Sequence, residues 1–577
     1  MTISAIAVFV GIGGAALAFA LIRLIGLVTN LFYYRRFSFQ FSSPAGSPLG
    51  VAAVIVPILG GLIIGFMARY GSERIRGHGI PEALEAILIG GSRMQPRVAL
   101  LKPISSAIAI GSGGPFGAEG PIIMTGGALG SIVGQGLPLS ASERKTLLVA
   151  GAAAGMSATF ATPFAAILLA VELLLFEWKP RSLVPVALAS VTAALVRPYF
   201  LGSGPLFPIA PHAALHASAY GFSVFVGLAA GALSVALTIG VYAAEDAFKQ
   251  VPIHWMWWPA IGGAVIGLGG LLQPHALGVG YDVIADLLAG NYVATTLVGL
   301  MAVKAIIWAI SLGSGSSGGV LAPLLLMGGA LGALESAWSP GGDKSLWPLV
   351  SMAAVLGGTM RSALTAVAFA IELTHDLNVL PVLIVASVSA EAVTVLVLKR
   401  SILTEKVARR GYHLSREYSV DPLETLTVAE AMTPKPICIP ASMPVRDLIE
   451  RGYFGGHDHQ GYPVLADDAA LVGVITRSNL LRQPVESSDA APLLVRDLVD
   501  RPPIVAYPWE SCRIAAERMA HEGVGRLPVV SKADPRRVIG IVTRSDLLKP
   551  RARRVMDEIG RERFLGRGTR AGPRPRS

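Results

Sequence analysis

The chain has 577 residues, 53% of them apolar and only 15% charged, with 65 glycines and a formal net charge of +10. Scarce charge and abundant glycine describe a polytopic membrane protein whose helices pack closely in lipid. Nucleic acid is excluded as the reason for the basic balance, because Lys and Arg concentrate in membrane-flanking segments and the C-terminal tail, where positive-inside bias and anionic lipid account for them.

In chain order, residues 3–27 form an apolar run too long for a signal-peptide core, with no small-residue cleavage pattern before Arg35 and Arg36, and read as the first span. A second run over residues 49–68 ends in Arg69, Arg74 and Arg76, which puts the following Gly77–Pro81 segment (GHGIP) near the cytoplasmic side. Arg35 and Arg36 then fall outside, against the charge rule. Further apolar segments start at Val98, Leu147, Leu183, Phe222, Trp257, Thr295, Leu346 and Leu380, many interrupted by Gly or Pro. Broken helices are tolerated at membrane depth only where protein or a water-filled cavity surrounds them, so the interruptions point to an ion-lined interior.

Residues 111–130, GSGGPFGAEGPIIMTGGALG, place one carboxylate, Glu119, between glycines in the middle of an apolar region. An ionisable group at bilayer depth is costly and marks an ion path or a water-filled cavity. Gly117 and Gly120 let backbone approach a ligand closely, and Pro121 suits the first turn of a helix. Glu119 therefore sits at a helix N-terminus, whose free N–H groups and partial positive charge attract anions. The plainer alternative is a carboxylate that caps that helix.

The pattern returns about two hundred residues later: Pro121 and GGALG at 126–130 match Pro323 and GGALG at 328–332 at one constant offset, which Lys102 and Lys304 also keep. With small slips, Gly77, Gly79 and Glu82 match Gly278, Gly280 and Asp282, and VEL ending at Leu173 matches IEL ending at Leu373. Two diverged copies of one membrane unit, about 49–200 and 250–400, are expected, with the site at their interface built from half-helix N-termini.

GHGIP (77–81), GAEGP (117–121) and GGVLAP (318–323), in this order within a repeated membrane domain over about residues 1–410, resemble the anion-site signatures of the CLC chloride channel and transporter family. The resemblance implies an all-α membrane domain of CLC type, an inverted repeat of tilted, broken helices, working as a homodimer with one pore per subunit. It implies that Glu119 is the gate, occupying an anion site when ionised and leaving it when protonated, that the N–H groups of Val320 and Leu321 bind the anion beside the Gly79, Ile80, Gly117 and Gly120 backbone, and that Lys102 is the nearby positive charge. A side chain snorkelling toward an interface is the other reading of Lys102.

Three positions depart from the family pattern. His78 stands where chloride-selective members usually carry serine and nitrate-selective ones proline; it either donates an N–H to the anion or turns to the cytoplasm and leaves a backbone-only site. The family's internal proton-transfer glutamate falls on Leu173, which carries no proton and favours channel-like flow, while the adjacent Glu172 is either another proton route or a structural residue satisfied by backbone donors. Leu403 stands where the family places an inner-gate tyrosine.

After Arg410 the long apolar runs stop. Tyr462-Pro463-Val464-Leu465 with GVITRSNLL (473–481) recurs as Leu527-Pro528-Val529-Val530 with GIVTRSDLL (540–548), each reading strand, strand, helix. This resembles a tandem pair of CBS domains, at 426–485 and 492–550. The resemblance implies adenine-nucleotide contacts at Thr543 and Asp546, with Thr476 and the uncharged Asn479 as the first-copy equivalents, so the second copy is the expected site; a module that only stabilises or transmits motion is the alternative. The two cysteines of the chain, Cys438 and Cys512, lie here and imply no disulfide framework, in keeping with a cytosolic location. Residues 551–577, with nine arginines, read as a disordered tail.

The sequence thus predicts a chloride channel in the plasma (inner) membrane, passively conducting chloride or a similar small anion, with a cytoplasmic CBS pair. A chloride/proton antiporter is the alternative, and fluoride or nitrate transport a further one. No P-loop, metal-ligand cluster or nucleophile–base set is present, so neither enzyme activity nor a metal or required cofactor is expected.

Overall fold

The computed structural model describes residues 2–88, 91–212, 215–340, 345–409, 423, 426–454, 459–481 and 492–549. The described residues through Arg409 form one unit and those from Leu423 onward another. The Arg-rich stretch 551–577 lies outside the described residues.

The first unit is helical throughout. Its helices are α1 (Thr2–Tyr34), α2 (Ile55–Phe66), α3 (Ile80–Leu88), α4 (Pro96–Gly111), α5 (Glu119–Gln135), α6 (Ala141–Phe160), α7 (Pro163–Leu169), α8 (Pro180–Val196) and α9 (Pro198–Leu201), followed by α10 (Ala217–Gln250), α11 (Trp258–Leu272), α12 (Tyr281–Leu288), α13 (Ala294–Gly313), α14 (Leu321–Glu335), α15 (Leu346–Met360), α16 (Ala363–Thr374), α17 (Leu380–Val397) and α18 (Ile402–Arg409). The series α1–α8 recurs, in order and in approximate length, as α10–α17, so each half begins one helix earlier than the expected 49–200 and 250–400, which left out α1 and α10. Even the joints correspond. Ala161 and Arg361 end α6 and α15 in the left-handed conformation at φ 59° and 56°, the common way for a helix to stop before a sharp turn.

Local chemistry explains several boundaries. Pro96, Pro163 and Pro180 open α4, α7 and α8 at the position where a missing N–H costs nothing, and Ser140 with Glu143 forms a capping box at the start of α6. The first span runs past residue 27 to Tyr34, because Tyr33 is buried and its hydroxyl donates to the Ser112 carbonyl at 3.0 Å. The second run begins as a 3₁₀ turn, Gly50–Val54, continues as α2 and closes in a π-helical turn, Met67–Gly71. Among the described residues, eight helical stretches are long and apolar enough to cross a membrane, while α15 and α16 are shorter apolar helices. The core lies where α5 packs on α6 and α14 packs on α15. Glycines permit those crossings: a Cβ on Gly130 would lie 1.9 Å from the Leu147 carbonyl oxygen and one on Gly332 2.1 Å from that of Trp347.

The second unit carries α19 (Val428–Ala431), β1 (Thr433–Pro434), β2 (Ile439–Pro440), α20 (Val445–Glu450), β3 (Gly461–Leu465), β4 (Leu471–Thr476), α21 (Arg477–Leu481), α22 (Cys512–His521), β5 (Arg526–Val530) and β6 (Val538–Thr543). Two three-stranded sheets form, β2-β3-β4 and β1-β6-β5. The leading strand β1 thus joins the second copy, Thr433 facing Ile541, and Val428 packs into the second copy's core.

Candidate functional site

Three glycine-rich turns meet in the first unit. Gly319 N–H donates to the Gly117 carbonyl at 2.8 Å and Gly117 N–H returns to that of Gly319 at 3.2 Å, so the turns of the second and third signatures, one from each half, are stitched as a short antiparallel bridge. Gly77 pairs with Ser317 beside it. The third approach is closer still. A Cβ on Gly120 would stand 1.8 Å from the His78 carbonyl oxygen, and one on Gly79, whose φ is +94°, would stand 2.5 Å from the Gly120 carbonyl oxygen. Only glycine permits these contacts.

Glu119 opens α5 and is fully buried. Its Oε1 accepts the Ala322 N–H from the first turn of α14, whereas its Oε2 has no hydrogen-bond partner. The carboxylate fills the space that Gly117 and Gly319 leave open, since a Cβ at either would lie 1.7 or 2.5 Å from Oε2. Val320 and Leu321, both buried, precede Ala322 at the same helix start. The first N–H groups of a helix lack intrahelical acceptors, so this corner offers donors to one negative group at a time.

Lys102 is fully buried and does not snorkel: its ammonium donates to the carbonyls of Ile75 at 2.8 Å and Gly77 at 2.7 Å. Lys304, its counterpart, does the same for Ala276 at 2.9 Å and Gly278 at 2.8 Å. Each lysine thereby ties down the turn that precedes α3 or α12. His78 is 4% exposed, with Nδ1 unpartnered. That burial speaks against the reading in which the ring turns out to the cytoplasm, since a ring facing solvent there would be exposed. Glu82 receives the Gly79 N–H at 2.8 Å and the Lys406 ammonium of α18 at 2.7 Å. Gly77, Glu82 and Lys406 line a cavity of about 770 Å³ whose charged lining counts six bases and four acids, with Glu82 paired to Lys406 and Glu73 to Arg76. Leu403, on α18, is buried.

Glu172 lies in a π-helical turn, Ala170–Leu175, and accepts the Thr365 N–H at 3.0 Å and its hydroxyl at 2.5 Å. Glu372, its counterpart on α16, accepts the Phe164 and Ala165 N–H groups at 2.9 and 2.7 Å. Each half therefore caps the other's helix, α7 against α16, and both acids occupy backbone donors. Leu173 is wholly within the core.

In the second unit the two recurring Thr-Arg-Ser motifs differ in surroundings. Thr476 and Asn479 border a cavity of about 570 Å³ also lined by Arg477, Asp500, Arg501 and Arg526. Asn479 Oδ1 accepts the Thr476 N–H at 3.0 Å, as Asp546 Oδ2 does for Thr543 at 3.0 Å. Asp546 is further held by Lys549 at 2.8 Å. Burial pushes its carboxyl up, but the Lys549 ammonium and the Thr543 donors outweigh that and hold it below its ordinary 3.8.

Sequence reasoning missed four partners. Ala322 lies one residue beyond the pair expected to bind the anion, and counting free helix N–H groups would have included it. Ser317, which accepts from Ser105 at 3.1 Å, directly precedes the third signature. Lys406 stands 324 residues from Glu82 and has no local signal. Tyr281, between the repeat positions Gly280 and Asp282, carries no signature of its own.

Repeated, broken helices with opposed N-termini around a buried carboxylate define an integral membrane transport protein. The chain belongs to the voltage gated chloride channel family, which it matches over residues 60–395, and it carries two CBS domains, at 428–486 and 495–552. It is 30% identical over 368 residues to the voltage-gated ClC-type chloride channel ClcB of Salmonella dublin, covering 62% of this chain and 86% of that one. It is 29% identical over 352 residues to a putative chloride channel protein, ClcB-like, of Ralstonia nicotianae, covering 59% and 81%. Its fold matches a slow cyanobacterial Cl⁻/H⁺ antiporter with a TM-score of 0.61 at 19% identity, covering 71% of this chain and 96% of that one. A eukaryotic CLC transporter matches with a TM-score of 0.59 at 18% identity, covering 94% and 97%.

Proposed function

We propose that the protein is a chloride channel of CLC type, in which Glu119 gates passive anion flow across the plasma (inner) membrane, two subunits each hold their own path, and a cytoplasmic CBS pair modulates it. The observation that carries this reading is the Glu119 carboxylate on the Ala322 N–H. A carboxylate there is a tethered anion, so it competes with chloride for the same donors, and a proton removes the competitor. Backbone donors with little full charge nearby bind weakly enough to release, which throughput requires. By holding the Gly77 carbonyl, Lys102 fixes the turn that leads into α3 and adds a positive field; the Gly79 N–H of that turn is already taken by Glu82, which leaves Ile80 as its donor to an anion. The names of the curated relatives support chloride over fluoride or nitrate.

A second reading, chloride/proton exchange, is favoured by the antiporters among the structures that share the fold. Against it stand Leu173 in the apolar core and Glu172 on the Thr365 donors. Chloride efflux and proton movement recorded together from proteoliposomes under a chloride gradient separate the two. Flow without coupled protons is expected, and proton uptake in fixed ratio to chloride would establish the antiporter.

At the CBS pair the cavity beside Thr476 and Asn479, which second-copy residues Arg501 and Arg526 also line, supports adenine-nucleotide binding there, in place of the Thr543–Asp546 motif expected from its aspartate. Three arginines face that space to receive phosphates, whereas Asp546 is already engaged by Lys549.

A further inference from the structure

Tyr281 opens α12 and occupies in the second half the place that Ile80 occupies in the first. Its ring packs among Phe41, Phe160 and Phe207, with centroids 6.0, 6.5 and 6.1 Å away, and Phe160 continues onto Phe369 at 5.2 Å. The rings of this cluster carry a single hydroxyl. That hydroxyl is buried and has no hydrogen-bond partner, and it lies within electrostatic reach of Glu119. Glu119 Oε2 is likewise buried and unpartnered. A buried polar atom left bare costs about 1–3 kcal/mol, and phenylalanine would fill the same ring volume without that cost. Gly155 on α6 meets Ile122 on α5, so the end of α6 that carries Phe160, the ring on which Tyr281 packs, lies level with Glu119 at the start of α5, and the two bare buried oxygens need a common explanation.

Resting on the gate reading of Glu119, we infer that Tyr281 is a positioning residue for the open gate: once the protonated Glu119 side chain leaves the Ala322 N–H, the Tyr281 hydroxyl donates a hydrogen bond to its carboxyl and holds it clear of the anion path. The closed state leaves the hydroxyl unpartnered, and the open state satisfies it. The aromatic cluster excludes water, so the neutral carboxyl gains more from one donor there than it would in solution. The other buried titratable groups on elements packed against α5 are Tyr33 on α1, Glu82 on α3, Lys102 on α4 and Glu335 on α14, together with His78 in the turn against Gly120. Tyr33, Glu82 and Lys102 bond to groups other than Glu119. Their titration, and that of His78 and Glu335, would persist in a chain lacking the Glu119 acid.

The test is chloride efflux against pH for the wild type, Tyr281→Phe, Glu119→Gln and the double variant, each as the full chain in liposomes. Tyr281→Phe removes only a hydroxyl that has no partner in the closed state, so folding is retained. The expected result is a half-maximal efflux shifted about one pH unit toward acid in Tyr281→Phe, equivalent to about 1.4 kcal/mol, because opening then needs a more fully protonated Glu119. Glu119→Gln is expected to be flat in pH whether or not Tyr281 is changed. A Tyr281→Phe profile that superimposes on the wild type, with Glu119→Gln flat, overturns the Tyr281 inference and leaves the gate standing. A Glu119→Gln profile that keeps the wild-type pH response overturns the gate and this inference with it.

Discussion

Glu119 and Ala322 belong to opposite halves of the repeat, and the carboxylate of one accepts the backbone N–H of the other. The bond is made possible by a glycine on each side. A Cβ on Gly319 would lie 2.5 Å from Glu119 Oε2 and 2.6 Å from the Gly117 carbonyl oxygen. Gly319→Ala should therefore cost about 1–3 kcal/mol of overpacking and push the carboxylate off its donor. Gly328→Ala, where a Cβ meets the Ser351 carbonyl oxygen at 2.9 Å at a helix crossing, should lower stability alone. Melting and pH-dependent chloride efflux of both variants check this: an altered pH profile is expected in Gly319→Ala only.

Lys102 and Lys304 each satisfy two buried carbonyl oxygens. Replacing either by methionine strands both acceptors, at about 1–3 kcal/mol for each. Similar drops in melting temperature are expected for the two variants, with near-additive loss in the double, since the two turns share no partner. Chloride flow should fall more in Lys102→Met, whose turn leads into Gly79 and Ile80.

Glu172 and Glu372 cap each other's halves. Loss of a cap costs about 0.5–2 kcal/mol, so Glu172→Ala and Glu372→Ala should destabilise by comparable amounts. If capping is the whole role of Glu172, the ratio of proton to chloride movement is the same in Glu172→Ala as in the wild type. A changed ratio would make Glu172 a proton route.

At the CBS pair, ATP, ADP or AMP should raise the melting temperature of the full chain. Arg526→Ala, in the cavity beside Thr476, is expected to reduce that shift by more than half, and Thr543→Ala to leave it nearly intact. The reverse order would place the ligand at Thr543 and Asp546 instead.

The repeat was legible because it is written in glycine and proline at positions where backbone touches backbone, as at Gly126 and Gly130 in the first half and Gly328 and Gly332 in the second. Helix existence followed from apolar runs, while the π turns at Met67–Gly71 and Ala170–Leu175 had no signature. Partners brought together only by the tertiary fold were out of reach. Lys406 meets Glu82 across 324 positions, and Glu372 reaches Phe164 across 208. The exchange of β1 into the second CBS sheet was hidden for a similar reason, since two residues, Thr433 and Pro434, carry too little pattern to declare a partner strand.

The central claim is that the Glu119 carboxylate occupies the place of the anion and that a proton removes it. Chloride efflux from proteoliposomes, compared between wild type and Glu119→Gln from acid to neutral pH, tests this most directly. The account predicts wild-type efflux that rises on acidification and Glu119→Gln efflux that is retained and flat. Abolished efflux in Glu119→Gln, or efflux that still follows pH as in the wild type, would contradict it.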